Sequence, residues 1–226
     1  MKKILSSSAS AFLKNPQIVF LFVFQYLIIR LYMLNSLIKF DSPITEIAFL
    51  ILHLFVFLVI SSLFISLFIG ASDLALKNQF TIKKSFSYLK FTSGNFVLLI
   101  ILTLFSAAGF GLANLAGLIA KKYFEGNIPF YSAVSVFILF TFLLVFLSFQ
   151  FFFYTLKNQK IFMAIKSSIA LSKRIYWSLI FLLLLVFIID GLLSIIPIQI
   201  ISDIINFLFV YPLTALILTS MFRKYS

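Results

Sequence analysis

The side chains able to carry chemistry in this 226-residue sequence are few, and three ionisable ones lie inside long apolar stretches: Arg30, His53 and Asp190. If these stretches are membrane helices that rise 1.5 Å per residue, the three groups lie roughly 20 Å above the inner edge of the membrane. A charge at mid-membrane costs about 2.5–3.5 kcal/mol, so such groups are candidates for function. The sequence therefore indicates a candidate polar pocket in the outer half of the membrane, in which an Arg30–Asp190 ion pair would satisfy both charges. Further members of the pocket or its mouth are His53, Glu46, Asp203 and Asn206.

Two interpretations of this pocket stay open. In the first, the groups line a ligand or ion pathway. In the second they are structural, because Arg30 lies close to Asn35 and could extend to the outer headgroups, while Asp190 precedes Gly191 near a helix end and could be solvated. His53, which is alone on an apolar helix, is then a hydrogen-bonded packing residue.

The residue types in the sequence do not support an enzymatic function. The sequence contains no cysteine and one histidine, and its six acidic residues are scattered. Phosphate-binding glycine loops, zinc-protease motifs and nucleophile elbows are absent, and the serines on the inner side have no nearby histidine to activate them. We therefore expect a non-enzymatic protein with no catalytic residue, no metal site and no cofactor.

The composition identifies lipid as the solvent for most of the chain. Apolar residues make up 63% of the sequence and charged residues 11%, against about 45–50% and about 25% in soluble domains. The net charge of +12 could indicate a nucleic-acid partner. In so apolar a chain it instead favours a membrane face lined with lysine, whose partners are anionic lipid headgroups.

Six stretches are long and apolar enough to cross a bilayer as helices, which needs roughly 20 residues each. None alternates as a β-barrel strand would. We predict an all-α integral membrane protein with a single transmembrane domain over residues 1–226 and no soluble domain. The expected spans are Gln17–Asn35, Glu46–Gly70, Asn95–Ile119, Pro129–Leu156, Ile175–Ile196 and Ile201–Phe222.

The basic residues predict the orientation of these spans. With the N-terminus inside, three basic residues fall in outer segments: Lys39, Lys121 and Lys122. Fourteen fall in inner segments: Lys2, Lys3, Lys14, Lys77, Lys83, Lys84, Lys90, Lys157, Lys160, Lys166, Lys173, Arg174, Arg223 and Lys224. By the positive-inside rule, we expect a multi-pass protein of the cytoplasmic membrane with both termini in the cytoplasm.

The inner segments contain an internal repeat. Leu76-Lys77-Asn78-Gln79 recurs as Leu156-Lys157-Asn158-Gln159, and each copy precedes a basic amphipathic segment and a span. We predict three units, 5–70, 80–156 and 161–222, each an in-plane amphipathic helix followed by a two-span hairpin. The alternative is that short lysine-rich and serine-rich segments became similar by composition alone. The residues expected to contact headgroups are Lys14, Lys83, Lys84, Lys90, Lys166, Lys173 and Arg174.

This arrangement resembles several uncharacterised prokaryotic multi-pass families, among them the membrane domain attached to some glycerophosphodiester phosphodiesterases. Phe12-Leu13-Lys14-Asn15-Pro16 and Ala164-Ile165-Lys166-Ser167-Ser168 carry the resemblance. It implies a six-helix fold and a membrane setting. The catalytic domain of those enzymes is absent, so the resemblance transfers no catalytic residue.

Small residues and one proline predict how the helices pack. Gly109, Gly111, Ala113 and Gly117 have the spacing that lets membrane helices approach closely, at a central helix or at an oligomer interface. Pro212 should kink the last span. Together the observations favour a membrane scaffold or accessory that engages anionic lipid and a protein partner or second copy. The alternative is a small transporter or channel subunit that uses the outer polar pocket.

Overall fold

The computed structural model describes residues 2–34, 43–124, 126–195 and 199–226, and within these ranges every regular element is a helix. The α-helices are α1 (Lys2–Lys14), α2 (Ile18–Leu34), α3 (Pro43–Leu76), α4 (Ile82–Ser85), α5 (Thr92–Tyr123), α6 (Ile128–Leu144), α7 (Gln150–Lys157), α8 (Ile161–Ser194), α9 (Gln199–Ile205) and α10 (Tyr211–Tyr225). Two 3₁₀ segments, Phe86–Phe91 and Val145–Leu147, and a π turn, Asn206–Val210, connect consecutive helices.

Five helical stretches of the described chain are long and apolar enough to cross a membrane: Glu46–Leu76, Ile82–Tyr123, Ile128–Lys157, Ile161–Leu193 and Ile201–Tyr225. A sixth is counted if α1 and α2, which meet at an 81° bend, form one broken span. The architecture is compatible with a multi-pass membrane protein. Six separate spans were predicted. The first of them is counted only if the bent pair of α1 and α2 forms one span.

The helices α3, α5 and α8 are longer than the bilayer requires, and the described part of the chain bends or breaks at the three places named below. A helix of 34 residues such as α3 is about 50 Å long, against about 30 Å of hydrocarbon. Pro16 follows α1 at the 81° bend, α8 leaves helical geometry at Ile175 (φ −118°, ψ 19°), and Val145–Leu147 separates α6 from α7. The fourth predicted span, Pro129–Leu156, is therefore not one continuous helix.

We call the end of the helices that carries Lys77, Lys157 and Arg223 the basic end, and most of the buried core lies near it. One cluster there centres on Phe149, Phe153 and Phe222, with ring centroids of the last two 4.8 Å apart. A second cluster joins α2 to α3 and α10. At the opposite ends many apolar side chains are exposed, including those of Leu104, Phe110, Leu118, Phe130 and Phe187.

The two copies of Leu-Lys-Asn-Gln end their helices in similar ways. Asn78 (φ 56°) and Asn158 (φ 52°) are the positive-φ residues other than glycine in the described chain. After α3, the amides of Asn78 and Gln79 donate to the carbonyls of Ala75 and Leu74, which is the Schellman pattern. Asparagine tolerates this left-handed conformation better than most residues, so the tetrapeptide acts as a helix stop at both places.

A buried polar network crosses three helices near the core. The Asn95 amide nitrogen donates to Ser66 Oγ at 2.8 Å and to Thr155 Oγ1 at 3.0 Å, which links α5 to α3 and α7. All three side chains are buried. Because a buried polar group without a partner is costly, these contacts favour one register of the three helices.

Glycines allow two close contacts at the basic end. A Cβ added to Gly70 of α3 would overlap the ring of Tyr88 near its attachment to the backbone, and one added to Gly94 of α5 would overlap the ring of Tyr154. Both aromatic side chains therefore lie directly on helix backbone. These contacts hold the 3₁₀ segment and α7 against α3 and α5.

The four small residues of the predicted packing stripe on α5 face different surroundings. A Cβ on Gly109 would lie 2.5 Å from Phe140 Cδ1 of α6, and one on Gly117 would lie 3.2 Å from Ala133 Cβ. Ala113 is buried between these levels, whereas nothing lies within 4 Å of a Cβ on Gly111. The stripe at 109, 113 and 117 thus packs within the α5–α6 hairpin, and Gly111 faces away from it.

Candidate functional site

Near the end opposite the basic end, five polar residues form what we call the outer polar cluster: Tyr26, Arg30, Asp190, Asp203 and Asn206. Arg30 Nη2 lies 2.5 Å from Asp203 Oδ2, and Arg30 Nε donates to the Tyr26 hydroxyl at 3.0 Å. The Tyr26 hydroxyl donates to the same Asp203 oxygen at 3.1 Å. Asn206 Nδ2 donates to Asp190 Oδ1 at 2.7 Å. The cluster joins α2, α8, α9 and the π turn.

The predicted ion pair between Arg30 and Asp190 is wrong. Arg30 pairs with Asp203, and Asp190 accepts from Asn206 instead. Equal depth along two helices does not fix the direction in which each side chain points, and Asp203 stands on the side of α9 that faces α2. Tyr26 was missed, although its position four residues before Arg30 places the two on one helix face.

The other predicted members of the pocket lie on α3. Glu46 is in the first turn of this helix, where a carboxylate interacts favourably with the helix dipole. The His53 ring contacts Phe49 one turn earlier, with centroids 5.3 Å apart. Neither Glu46 nor His53 is a partner in the hydrogen bonds that define the outer polar cluster.

A π turn shapes the last span beside this cluster. The turn, Asn206–Val210, comes directly before Tyr211 and the buried Pro212, which is the residue predicted to kink the span. Proline lacks an amide hydrogen and its ring crowds the carbonyl four residues earlier, so the wider turn relieves that crowding. The turn also places Asn206 against Asp190.

A double-mutant cycle tests the corrected pairing. We expect Arg30→Leu and Asp203→Leu to destabilise the protein non-additively, because each single change removes the same contact. The matched control cycle, Arg30→Leu with Asp190→Leu, should be additive. Thermal unfolding in detergent measures both cycles, and strong coupling in the control cycle alone would contradict the structure.

At the basic end, a cleft of about 290 Å³ opens between the ends of α3, α7 and α10. We call it the basic cleft; it is lined in part by Asp73, Lys77, Tyr88, Lys157 and Arg223. Asp73 is buried, and its carboxylate contacts Lys77 Nζ at 2.5 Å and Arg223 Nε at 3.6 Å. The Tyr88 phenol also interacts with this carboxylate. Nothing in the sequence indicated that Asp73 lies at the centre of this cleft.

A second cleft, of about 350 Å³, lies where α8 bends. We call it the bend cleft; it is lined by Phe146, Lys173, Arg174 and residues 175–178. Tyr176 stacks on Phe146 with centroids 5.2 Å apart, and Trp177 is 80% exposed. Aromatic and basic side chains together are typical of a membrane–water interface. The sequence predicted Lys173 and Arg174 as headgroup residues but did not predict the bend.

All seven residues predicted to contact headgroups are exposed. They lie on three segments: the end of α1, the α4 and 3₁₀ segment, and the first half of α8. Each segment precedes a helix break or a long apolar helix. The residues are Lys14, Lys83, Lys84, Lys90, Lys166, Lys173 and Arg174.

The all-helical fold, with five to six candidate membrane-spanning helices in its described residues, is compatible with a multi-pass membrane protein. Comparisons with family models, with curated proteins and with solved structures found no match.

Proposed function

We propose that the protein is a non-enzymatic membrane scaffold or accessory whose basic end binds anionic lipid headgroups at the cytoplasmic face of the cytoplasmic membrane. The exposed cations of α1, α4 and α8, next to the helix breaks, support this function. A cation near an anionic surface contributes about 1 kcal/mol, so several on adjacent segments favour acidic lipid strongly. A protein partner or a second copy belongs to the same proposal.

The bend cleft is the observation that carries the proposal. It combines Lys173, Arg174 and the exposed ring of Trp177 at the place where α8 turns toward its apolar half. The two cations attract an anionic headgroup, and the exposed Trp177 ring is typical of a membrane–water interface. The resemblance to the phosphodiesterase-associated membrane domains adds only a proposed fold and membrane setting.

The transporter alternative rests on the outer polar cluster. Its support is the ion pair between Arg30 and Asp203 and the π turn beside them. The bend cleft and the basic cleft are lined by residues of the α8 bend and of the basic end, including the exposed cations Lys173, Arg174 and Lys157. These exposed cations favour the lipid-binding function.

Trp177 provides a direct test, because it is the single tryptophan of the chain and lies in the bend cleft. In the reconstituted protein, we expect brominated phosphatidylglycerol to quench its fluorescence more strongly than brominated phosphatidylcholine. Lys173→Gln should lower this preference about fivefold, the equivalent of losing about 1 kcal/mol of attraction.

Lys121→Gln is the matched control for this measurement. It removes one exposed positive charge at the opposite end of α5 and should leave the preference unchanged. Equal loss in Lys121→Gln and Lys173→Gln would show that the preference follows net charge alone and would contradict the proposal.

A further inference from the structure

At the end of each of the three predicted repeat units, a helix returns to the basic end and carries a basic residue in or directly after its last turn. Lys77 follows α3, Lys157 ends α7, and Arg223 lies in the last turn of α10. Lys77 and Lys157 occupy the same position in the repeated tetrapeptide Leu-Lys-Asn-Gln. All three side chains line the basic cleft.

Packing among these helices holds the three cations at one place. Phe222 of α10 packs against Phe152 and Phe153 of α7, with ring centroids 5.6 and 4.8 Å away. Asp73 of α3 contacts Arg223 of α10 directly. The cleft therefore lies between helix ends that are fixed by aromatic contacts and by an ion pair.

We propose that the basic cleft binds one phosphate group, to which each returning helix contributes one cation. The phosphate is that of a phospholipid headgroup or a free phosphate ion. None of the residues predicted for lipid contact from the sequence lines this cleft, so the site is additional to the bend cleft. The lipid source rests on the proposed function, whereas the phosphate site does not.

The charged side chains of the cleft leave a positive excess for an anion. Asp73 is satisfied by Lys77 at 2.5 Å, while Arg223 reaches it only through Nε at 3.6 Å. The terminal nitrogens of Arg223 are thus available for a bidentate contact with phosphate. Lys157 forms no ion pair with any residue that the structure describes.

A competing explanation is that the cations only offset the negative ends of three helix dipoles. The capping bonds of Asn78 and Gln79 already satisfy two carbonyls at the end of α3. Dipole compensation needs no cleft, and it predicts that loss of Lys157 changes stability without changing phosphate binding. The two explanations therefore differ in a measurable quantity.

The size and depth of the cleft fit a headgroup. Its volume of about 290 Å³ is at the small end for ligand sites, which run from about 300 Å³ upward. Lys77, Lys157 and Arg223 follow the inner ends of three expected spans, at Gly70, Leu156 and Phe222. Cations at this level lie at the depth of phospholipid phosphates.

The test uses the purified full chain in detergent and three probes: dioctanoyl phosphatidylglycerol, dioctanoylglycerol and inorganic phosphate. Calorimetric titration should show one site for a phosphate-bearing probe and none for dioctanoylglycerol. Lys157→Gln should weaken this binding at least about tenfold, as expected for loss of one charge-assisted contact. Lys160→Gln, an exposed lysine outside the cleft with the same change of charge, should bind as the wild type does.

Each outcome of this test either supports the phosphate site or contradicts it. Binding of phosphatidylglycerol alone identifies a lipid headgroup as ligand, and binding of inorganic phosphate as well identifies a general phosphate site. Absence of both, or equal loss in Lys157→Gln and Lys160→Gln, overturns the site. If Trp177 quenching shows no anionic preference while Lys157-dependent phosphate binding persists, the proposed function fails and the phosphate site stands.

Discussion

The double variant Lys77→Gln/Arg223→Gln is expected to lower the free energy of unfolding by about 3 kcal/mol, because it leaves a buried carboxylate without a cation. The Asp73 side chain is only 5% exposed and contacts both residues. Its carboxylate joins α3 to α10 at the centre of the basic end. Thermal unfolding in detergent measures the loss.

The reverse change, Asp73→Asn, should cost less, about 1 kcal/mol, because the stranded cations can be hydrated. Lys77 and Arg223 are 42% and 41% exposed, so water reaches both. Lys83→Gln/Lys84→Gln removes the same number of exposed charges from α4 and should be nearly neutral. A greater loss in Asp73→Asn than in the cation double variant would contradict this account of the ion pairs.

The substitution Gly70→Ala is expected to destabilise the protein by about 3 kcal/mol, since overpacking in a well-packed region costs about 1–3 kcal/mol and sometimes more. The added Cβ would overlap the Tyr88 ring close to the backbone, where rotation of the side chain cannot relieve the overlap. Tyr88 lines the basic cleft, so the same variant should weaken phosphate binding there. Unfolding temperature and calorimetric titration measure the two effects.

Gly111→Ala is the matched control for Gly70→Ala. Nothing lies within 4 Å of a Cβ at this position, so alanine should be neutral or stabilise α5 by up to about 1 kcal/mol through its higher helix propensity. Adding Tyr88→Ala to Gly70→Ala should recover part of the loss. Equal destabilisation by both glycine substitutions would show that the close contact with Tyr88 has no energetic role.

The sequence predicted that long apolar helices exist, but it did not predict where they end. The hydropathy of the sequence predicted that the second span ends at Gly70. In the structure α3 continues to Leu76, because residues 71–75 are buried against other helices of the chain. Hydropathy reports the width of the hydrocarbon layer. It carries no information on helices that continue beyond that layer by packing on each other.

Side-chain partners were missed, both where spacing along one helix could have indicated them and where three-dimensional direction determines them. Lys77 lies four residues after Asp73, a spacing that places both on one face of α3 and its continuation. The partner of Arg30 depends on the rotation of α2 relative to α9, which depth along the helix does not determine. The network around Asn95 was missed for the same reason.

The repeat was predicted from a recurring tetrapeptide. Both copies of this tetrapeptide contain an asparagine in the left-handed conformation at the end of a helix. The segments that follow differ, because α4 is a single short turn followed by a 3₁₀ segment, whereas α8 continues to the bend at Ile175. The three-unit organisation stays a prediction. The first half of α8 is held in place by its contacts with α7. A short sequence pattern does not indicate such contacts between helices.

Trp177 quenching in the unmodified protein is the most direct measurement of whether the basic end binds anionic lipid. In bilayers that contain equal amounts of the two lipids, brominated phosphatidylglycerol should quench Trp177 more than brominated phosphatidylcholine. The excess should shrink as salt rises, because screening weakens contacts with exposed cations such as Lys173 and Arg174. Equal quenching by both lipids at low salt would contradict lipid binding at the bend cleft.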